Sequence, residues 1–441
     1  MISRHSSHLE GDRPPPAPFI IVMNLSQTFS NTYNTFIKPT FRLHTIESRR
    51  NGEGSDRWME YRIIMPRKRR TRRELYTKEI AACSIFGAMN RDGDRFTGEG
   101  VMKAIANMHV RGNGLGGGFA AYGIYPEHRD CYALHLMFTG PSPQAKKDAK
   151  KEFEAFLSRR FDLFFDEEIP TDEAVPVRDP PLIWRYFVLP RIDPASEEEE
   201  GDYIVRSIME VNGKIENAYI FSSGKNMGCF KGVGYPEEIG EYFMLDRTYR
   251  AHTWTVHGRF PTNTQAWWGG AHPFSLLDTT IVHNGEISSY GTNRWYLEMY
   301  GYACTLQTDT EVIAYAADLL MRRQRLPIEV VAKILAPPIW NSIDRMPEKE
   351  RRLFTTLRMV YGPLLMNGPF AVIIGQTGRM IGLTDRIRLR PLTAATSGEM
   401  FYISSEEASI RLISPHLDRV WTPNGGEPVV GELYSMRKDQ P

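Results

Sequence analysis

Cysteine is scarce in this chain of 441 residues: Cys83, Cys131, Cys229 and Cys304 lie far apart, with no Cys-x-x-Cys pair. That spacing excludes the ligand patterns of zinc ribbons and iron–sulfur clusters and leaves no disulfide framework. Long apolar runs are missing as well. No stretch approaches the roughly 18–20 residues that cross a bilayer, and Phe19–Met23 is too short for the core of a secretory signal. Neither sign of charge is in excess: Lys and Arg number 54, Asp and Glu 53, leaving +1. A balance of that kind gives no whole-protein attraction to nucleic acid or to anionic lipid. These absences together point to a reducing, cytoplasmic setting, with no membrane and no nucleic acid among the partners. What is present, 41% hydrophobic and 24% charged residues, is ordinary globular material with enough apolar mass for a large core.

Residues 1–82 read as a leader, poorly ordered and poor in periodic apolar pattern, with Pro14-Pro15-Pro16 and Gly52-Glu53-Gly54-Ser55 as breaks. Its basic run, Arg67 to Arg73, reads as a solvated segment because no aromatics interleave it. From Cys83 onward the chain is richly patterned. Ile85–Met89 reads as a buried strand, Gly98–Val110 as a helix, and Phe119–Tyr125 with Cys131–Phe138 as paired strands. The Gly-rich stretch Gly112–Gly118 lacks the Gly-Lys-Ser/Thr ending of a phosphate loop, and it leads into a strand. It reads as a turn where backbones pack closely. Lys146–Phe164 has the spacing of an amphipathic helix, with Phe153, Phe156, Leu157 and Phe161 on one side. Pro170–Glu200, ending in four glutamates, reads as a solvated surface loop, and Tyr203–Val211 and Ala218–Ser222 as strands. Glu311–Arg323 reads as a helix, and Phe370–Ile374, Met380–Thr384 and Met400–Ser404 as strands.

Four islands carry chemistry: Cys83-Ser84-Ile85-Phe86-Gly87, Arg259-Phe260-Pro261-Thr262-Asn263-Thr264, His283-Asn284-Gly285-Glu286-Ile287 and Thr308-Asp309-Thr310-Glu311. Singly, each has a plain structural reading. A cysteine is commonly buried filler, an arginine a surface charge, Asn-Gly a hairpin turn and Thr-Asp a helix cap. Together they supply a thiol nucleophile, a guanidinium that clamps a carboxylate, an amide and a backbone N–H for an oxyanion, and a carboxylate for an ammonium. No His or Lys–Asp pattern beside Cys83 offers a base for the thiol. If Cys83 were the first residue, its α-amino group, with a reference pKa of about 7.7–8.0, would serve. That requires residues 1–82 to be removed or never translated. The small bond after Ala81-Ala82 permits the first, and Met65 is an alternative start.

In this order the islands resemble the class II glutamine amidotransferases, the N-terminal-cysteine branch of the Ntn hydrolases. The phrases Arg259–Thr264, Ala271-His272-Pro273-Phe274 and His283–Ile287 are most similar to the glutaminase domain of glutamate synthase, especially the stand-alone archaeal-type subunit. The resemblance runs from Cys83 to about Leu433 and implies an α+β fold, the four-layer αββα sandwich. The implied domains are a leader, 1–82, and an amidotransferase domain, 83–435, enlarged at 140–245. For the site, it implies Cys83 as nucleophile and Asn284 with Gly285 as the oxyanion hole. Arg259 would hold the α-carboxylate of L-glutamine with Thr262 and Asn263 assisting, and Asp309 would hold the α-ammonium. It further implies no cofactor in this chain, with FMN and iron–sulfur clusters on partner synthase subunits that use the ammonia. A glutamate synthase, an N-methylglutamate synthase, and a non-catalytic glutamine-binding regulatory or scaffold role all stay open. Two departures stand out: Ser84 follows the cysteine where the family usually has glycine, and the leader is long.

Overall fold

Strands that are apolar on both faces need cover on both faces, and that requirement organises the chain. The computed structural model describes residues 82–437, apart from 194, 261–265 and 307, all within one unit, Glu79–Pro441. Residues 1–81, and with them the basic run, therefore lie outside the described residues. Seven antiparallel strands form one sheet in the order β17 (Arg419–Trp421), β15 (Thr393–Ser397), β16 (Met400–Ser404), β1 (Ser84–Asn90), β10 (Thr253–Gly258), β3 (Gly117–Tyr122) and β8 (Met227–Gly232). A second sheet has the order β11 (Phe274–Leu276), β12 (Thr279–Gly285), β13 (Phe370–Gln376), β14 (Arg379–Thr384) and β18 (Val429–Glu432). A third has the order β5 (Phe161–Glu168), β6 (Leu182–Pro190), β4 (Tyr132–Phe138) and β7 (Ala218–Ser222), and β2 (Phe96–Thr97) pairs with β9 (Arg250–Ala251).

The first two sheets lie face to face. Ile85, Met89 and Ile403 of one pack on Val282, Ala371 and Ile373 of the other. Alternation along β1 sends Phe86 and Ala88 to the opposite face, where they meet Val101 and Ile105 of α1 (Glu99–Ala106). The outer face of the second sheet is covered by α6 (Asp309–Ala317), whose Val312 and Ile313 join Ile281, Val372 and Ile374. The result is helix, sheet, sheet, helix: a four-layer αββα sandwich. The third sheet carries α2 (Pro143–Arg160) and α3 (Glu197–Lys214). Among the described residues no helix is long and apolar enough to cross a membrane.

Several local expectations give way to longer-range demands. Phe119–Tyr125 and Cys131–Phe138 do not pair with each other. β3 lies between β10 and β8, and β4 between β6 and β7, with a turn at Gly123 (φ +78°) carrying the chain from one sheet towards the next. The helix expected over Lys146–Phe164 stops at Arg160, because Phe161 takes up extended geometry and begins β5 against β6. The acidic run is the first turn of α3 rather than a loop. Ser196 accepts the Glu199 N–H as its cap, and four carboxylates complement the positive end of the helix. Tyr203–Val211 is accordingly helical, with Ile204, Ile208 and Val211 buried at spacings of four and three.

Close approach of layers fixes Gly118, which sits between His257 and Lys231 in register. A Cβ there would collide with the His272 carbonyl oxygen and come 2.6 Å from both the Lys231 Cβ and the Phe230 carbonyl oxygen. Gly213, on an exposed face of α3, has nothing within 4 Å. We expect Gly118→Ala to cost about 1–3 kcal/mol and Gly213→Ala to gain about 0.5–1 kcal/mol. Urea-unfolding midpoints of the two variants check this, and equal midpoints would contradict the packing argument.

Candidate active site

Antiparallel pairing of β1 with β10 places Ser84 opposite Gly258, so Cys83 and Arg259 leave the sheet side by side at one end. The Phe260 N–H donates to the Cys83 sulfur at 3.3 Å. Arg111 Nε donates to the Cys83 carbonyl at 3.2 Å, and its Nη1 meets Glu406 at 2.6 Å. The backbone on which the thiol is mounted is thus clamped from outside the sheet. Burial pushes the thiol's pKa up; the Phe260 N–H, Arg259 and Arg390 pull it down, and Asp309 pushes it up again. Nothing in that set is a base for the sulfur, so a nucleophilic role would require one.

Arg259 is buried at 6% exposure, despite the usual surface placement of arginine. Its backbone N–H donates to Gly116 at 2.8 Å, and a Cβ on Gly116 would come 2.9 Å from the Arg259 Cδ. The glycine-rich turn therefore leaves room for the aliphatic stem of Arg259. Burial lowers the Arg259 pKa, and nearby Cys83 and Asp309 act in the opposite direction. Thr262 and Asn263 lie outside the described residues.

Asn284 and Gly285 end β12 in the facing sheet, so Asn-Gly is a strand terminus here and not a hairpin turn. The Asn284 Nδ2 donates to Ser405 Oγ at 3.3 Å, and the same hydroxyl accepts the Ile85 N–H at 3.2 Å. Ser405 thereby ties the amide to the strand that follows Cys83. The Asn284 Oδ1 is buried with no partner among the described residues. Turning the amide over would orphan the nitrogen instead, so in either orientation one polar atom awaits a partner. Gly285 has φ +140°, and a Cβ there would collide with the Pro369 carbonyl oxygen. Only glycine fits.

Asp309 opens α6 just after its cap, Thr308. Its Oδ2 accepts the Ile287 N–H at 3.0 Å, which ties this island to the Asn-Gly island, and its Oδ1 lies 3.7 Å from His283 Nδ1. Burial pushes this carboxyl up, but His283, the Ile287 N–H and Thr310 prevail and hold it below its ordinary value. At 24% side-chain exposure it can still receive a ligand's positive group.

Sequence reasoning missed the support behind these groups. Thr310 Oγ1 lies 3.1 Å from His283 Nδ1 and 3.2 Å from His272 Nε2, and the His272 ring stacks on His257 at 3.9 Å. Burial and neighbouring cations hold His257 and His272 well below the usual histidine range, so both are neutral. His272 and His283 lie within quoted phrases, but only the fold shows that they meet. Ser405, Arg111 and Glu406 carry no local sequence signal at all.

A family model described as glutamine amidotransferases class-II matches residues 65–417, well over half of the chain. An uncharacterized protein of Archaeoglobus fulgidus is 57% identical over 363 residues, 82% of this chain and 95% of its own length. The NADPH glutamate synthase large chain of Bacillus subtilis is 22% identical over 353 residues, covering 74% of this chain but only 22% of that one. Among solved structures, the glutamine phosphoribosylpyrophosphate amidotransferase from B. subtilis shares 13% identity at a TM-score of 0.39. That match covers 79% of this chain and 47% of its own.

Because folding lowers the Asp309 pKa, the folded state binds that proton more weakly than the unfolded chain. The ionised form adds stability above the unfolded value of about 3.9, and the gain is lost as pH falls through the lower folded value. Asp309→Asn is expected to unfold at lower urea than the wild type at pH 7, with the gap closing as pH falls below the unfolded carboxyl value of about 3.9. A gap that stays constant with pH would show that the carboxylate is not held by its neighbours.

Proposed function

As the chain belongs to the class II glutamine amidotransferases, we propose that it is a glutaminase subunit that hydrolyses L-glutamine and passes the ammonia to a separate synthase. What supports this reading is that a buried guanidinium, Arg259, and a hydrogen-bonded carboxylate, Asp309, both lie close enough to the Cys83 thiol to act on its charge. An α-amino acid presents charges of both signs to such a pair. Arg259 binds the α-carboxylate and Asp309 the α-ammonium, which leaves the side-chain amide at the sulfur. Thr262 and Asn263 add neutral donors to the carboxylate.

The thiol proton passes to the freed α-amine of Cys83 while sulfur attacks the amide carbon. The Asn284 amide and the Gly285 N–H stabilise the resulting oxyanion. The amine returns the proton to the departing nitrogen, ammonia leaves, and water then hydrolyses the thioester to glutamate. The chemistry needs no cofactor from this chain. FMN and iron–sulfur clusters belong to the partner synthase, which makes glutamate or N-methylglutamate in the cytoplasm. Similarity to a stretch of the glutamate synthase large chain supports the first acceptor. A second reading is a glutamine-binding subunit without turnover. It predicts that the peptide before Cys83 stays uncut, so that the Cys83 nitrogen remains an amide and no base.

Intact mass and N-terminal sequencing of the protein from its native host are expected to find a chain starting at Cys83. A chain that retains residues before Cys83 would favour the second reading. On the mature chain, Cys83→Ala is expected to abolish ammonia release, to below about 10⁻⁴ of wild type, while glutamine still binds in calorimetry. Release at the wild-type rate would remove Cys83 as nucleophile. Asp309→Ala is expected to raise the Michaelis constant on the order of 100-fold, since truncating one partner of a desolvated charge pair costs about 2–5 kcal/mol. An unaltered constant would take Asp309 out of the pocket.

A further inference from the structure

Arg390 is a half-buried arginine whose Nε is fully enclosed and has no hydrogen-bond partner among the described residues. Its loop is firmly placed. The Asp385 carboxylate accepts the N–H groups of Phe370, Ile387 and Leu389 at 3.3, 3.1 and 2.9 Å, and Leu392 is buried between the two sheets. Register shows where the loop leads. Phe370 is the partner of Gly285. Thr393 is the partner of Ser404, which in turn pairs with Phe86. Three residues before Thr393 and three before Phe86, Arg390 and Cys83 leave the sheet at the same end.

The charged groups at this end come from separate elements. Arg259 follows β10, Arg390 follows β14, and Asp309 begins α6; all three act on the Cys83 sulfur. Arg111 and Glu406 pair with each other at the Cys83 carbonyl, and Asp385 is occupied by backbone N–H groups. An α-amino acid that binds as proposed above cancels the first and the third of these charges. Its carboxylate neutralises Arg259 and its ammonium neutralises Asp309. No substrate charge is left for Arg390.

We propose that Arg390 is the cation that keeps the Cys83 sulfur ionised once an amino-acid substrate fills the pocket. This deepens the glutaminase reading and rests on it. The proton leaves Sγ for the freed Cys83 amine, and the negative charge left on sulfur is attracted to the one guanidinium that the substrate has not neutralised. In the empty site Arg259 shares that task, so the effect of Arg390 is largest in the substrate complex.

The test compares wild type, Arg390→Gln and Arg390→Lys, each processed to Cys83, through the pH dependence of kcat and of kcat/KM for glutamine. An opposite charge near an ionising group moves its pKa by about 1–3. The acid limb of kcat in Arg390→Gln is therefore expected about one pH unit higher, with a smaller displacement in kcat/KM and a KM within about threefold of wild type. Arg390→Lys is expected to restore the limb. An unmoved limb in the Gln variant overturns the proposal, and so does a large rise in KM with the limb unmoved, which would make Arg390 a substrate-binding cation. A second readout separates this from failure of the glutaminase reading itself. Alkylation of free Cys83 by iodoacetamide, followed by mass spectrometry, needs no turnover. Its acid limb is also expected to move up in Arg390→Gln and to return in Arg390→Lys. If the wild type releases no ammonia, the function fails, yet an alkylation limb identical in all three proteins is still what overturns the role of Arg390.

Discussion

The pairing of β1 with β10 is the constraint on which the site depends. Ser84 opposite Gly258 sets the thiol-bearing residue beside the guanidinium-bearing one, and a slip of one residue would turn every side chain of β1 to the other face. That slip is forbidden by the core. Ile85 and Met89 fill the space between the sheets while Phe86 and Ala88 meet α1. Cys83 is thus positioned by packing several residues away, and the hydrogen bonds from Phe260 and Arg111 refine a place that apolar burial has already chosen.

Facing sheets give the second half. Asn284 and Gly285 end the strand that packs across from β1, and Ser405, which follows β16, links the two sheets by accepting from both Asn284 and Ile85. A polar tie of this kind is worth little net stability, about 0.5–1.5 kcal/mol. On the proposed glutaminase reading it fixes the distance between nucleophile and oxyanion donors, which matters more for rate than for folding. Gly118 and Gly285 serve the same end, since each stands where a Cβ would force backbones apart.

Much of this was legible in the sequence, and the reasons differ by residue. Buried strands such as Ile85–Met89 and Phe370–Ile374 show as apolar runs because both faces are covered. The islands around Arg259, Asn284 and Asp309 were legible as chemistry because residue type and order together carry the resemblance. Tyr203–Val211 was misread as a strand: over nine residues, alternation and helical spacing are hard to separate, and the cap at Ser196 decides the matter from seven residues upstream. The pairing of Phe119–Tyr125 was misread because adjacency along the chain is a weak guide to adjacency in a sheet of seven strands. Ser405 and the contact of His257 with His272 were invisible, since each acts through a partner that only the fold brings near.

Charge economy explains why the enclosed histidines behind the pocket are neutral. Arg259 and Arg390 are positive and Asp309 is negative, so the empty site already carries an excess of positive charge at the sulfur. A charged His257 or His272 would add to that excess in a buried layer; Asp309 favours a charge on His257, but burial and the neighbouring cations outweigh it and both stay uncharged. They then act as stiff, stacked spacers that hold Thr310, and through Thr310 the start of α6, at a fixed height. Asp309 inherits that position. The carboxylate is thereby held where it acts on both Cys83 and Arg259, and on the proposed glutaminase reading a substrate ammonium would meet it there.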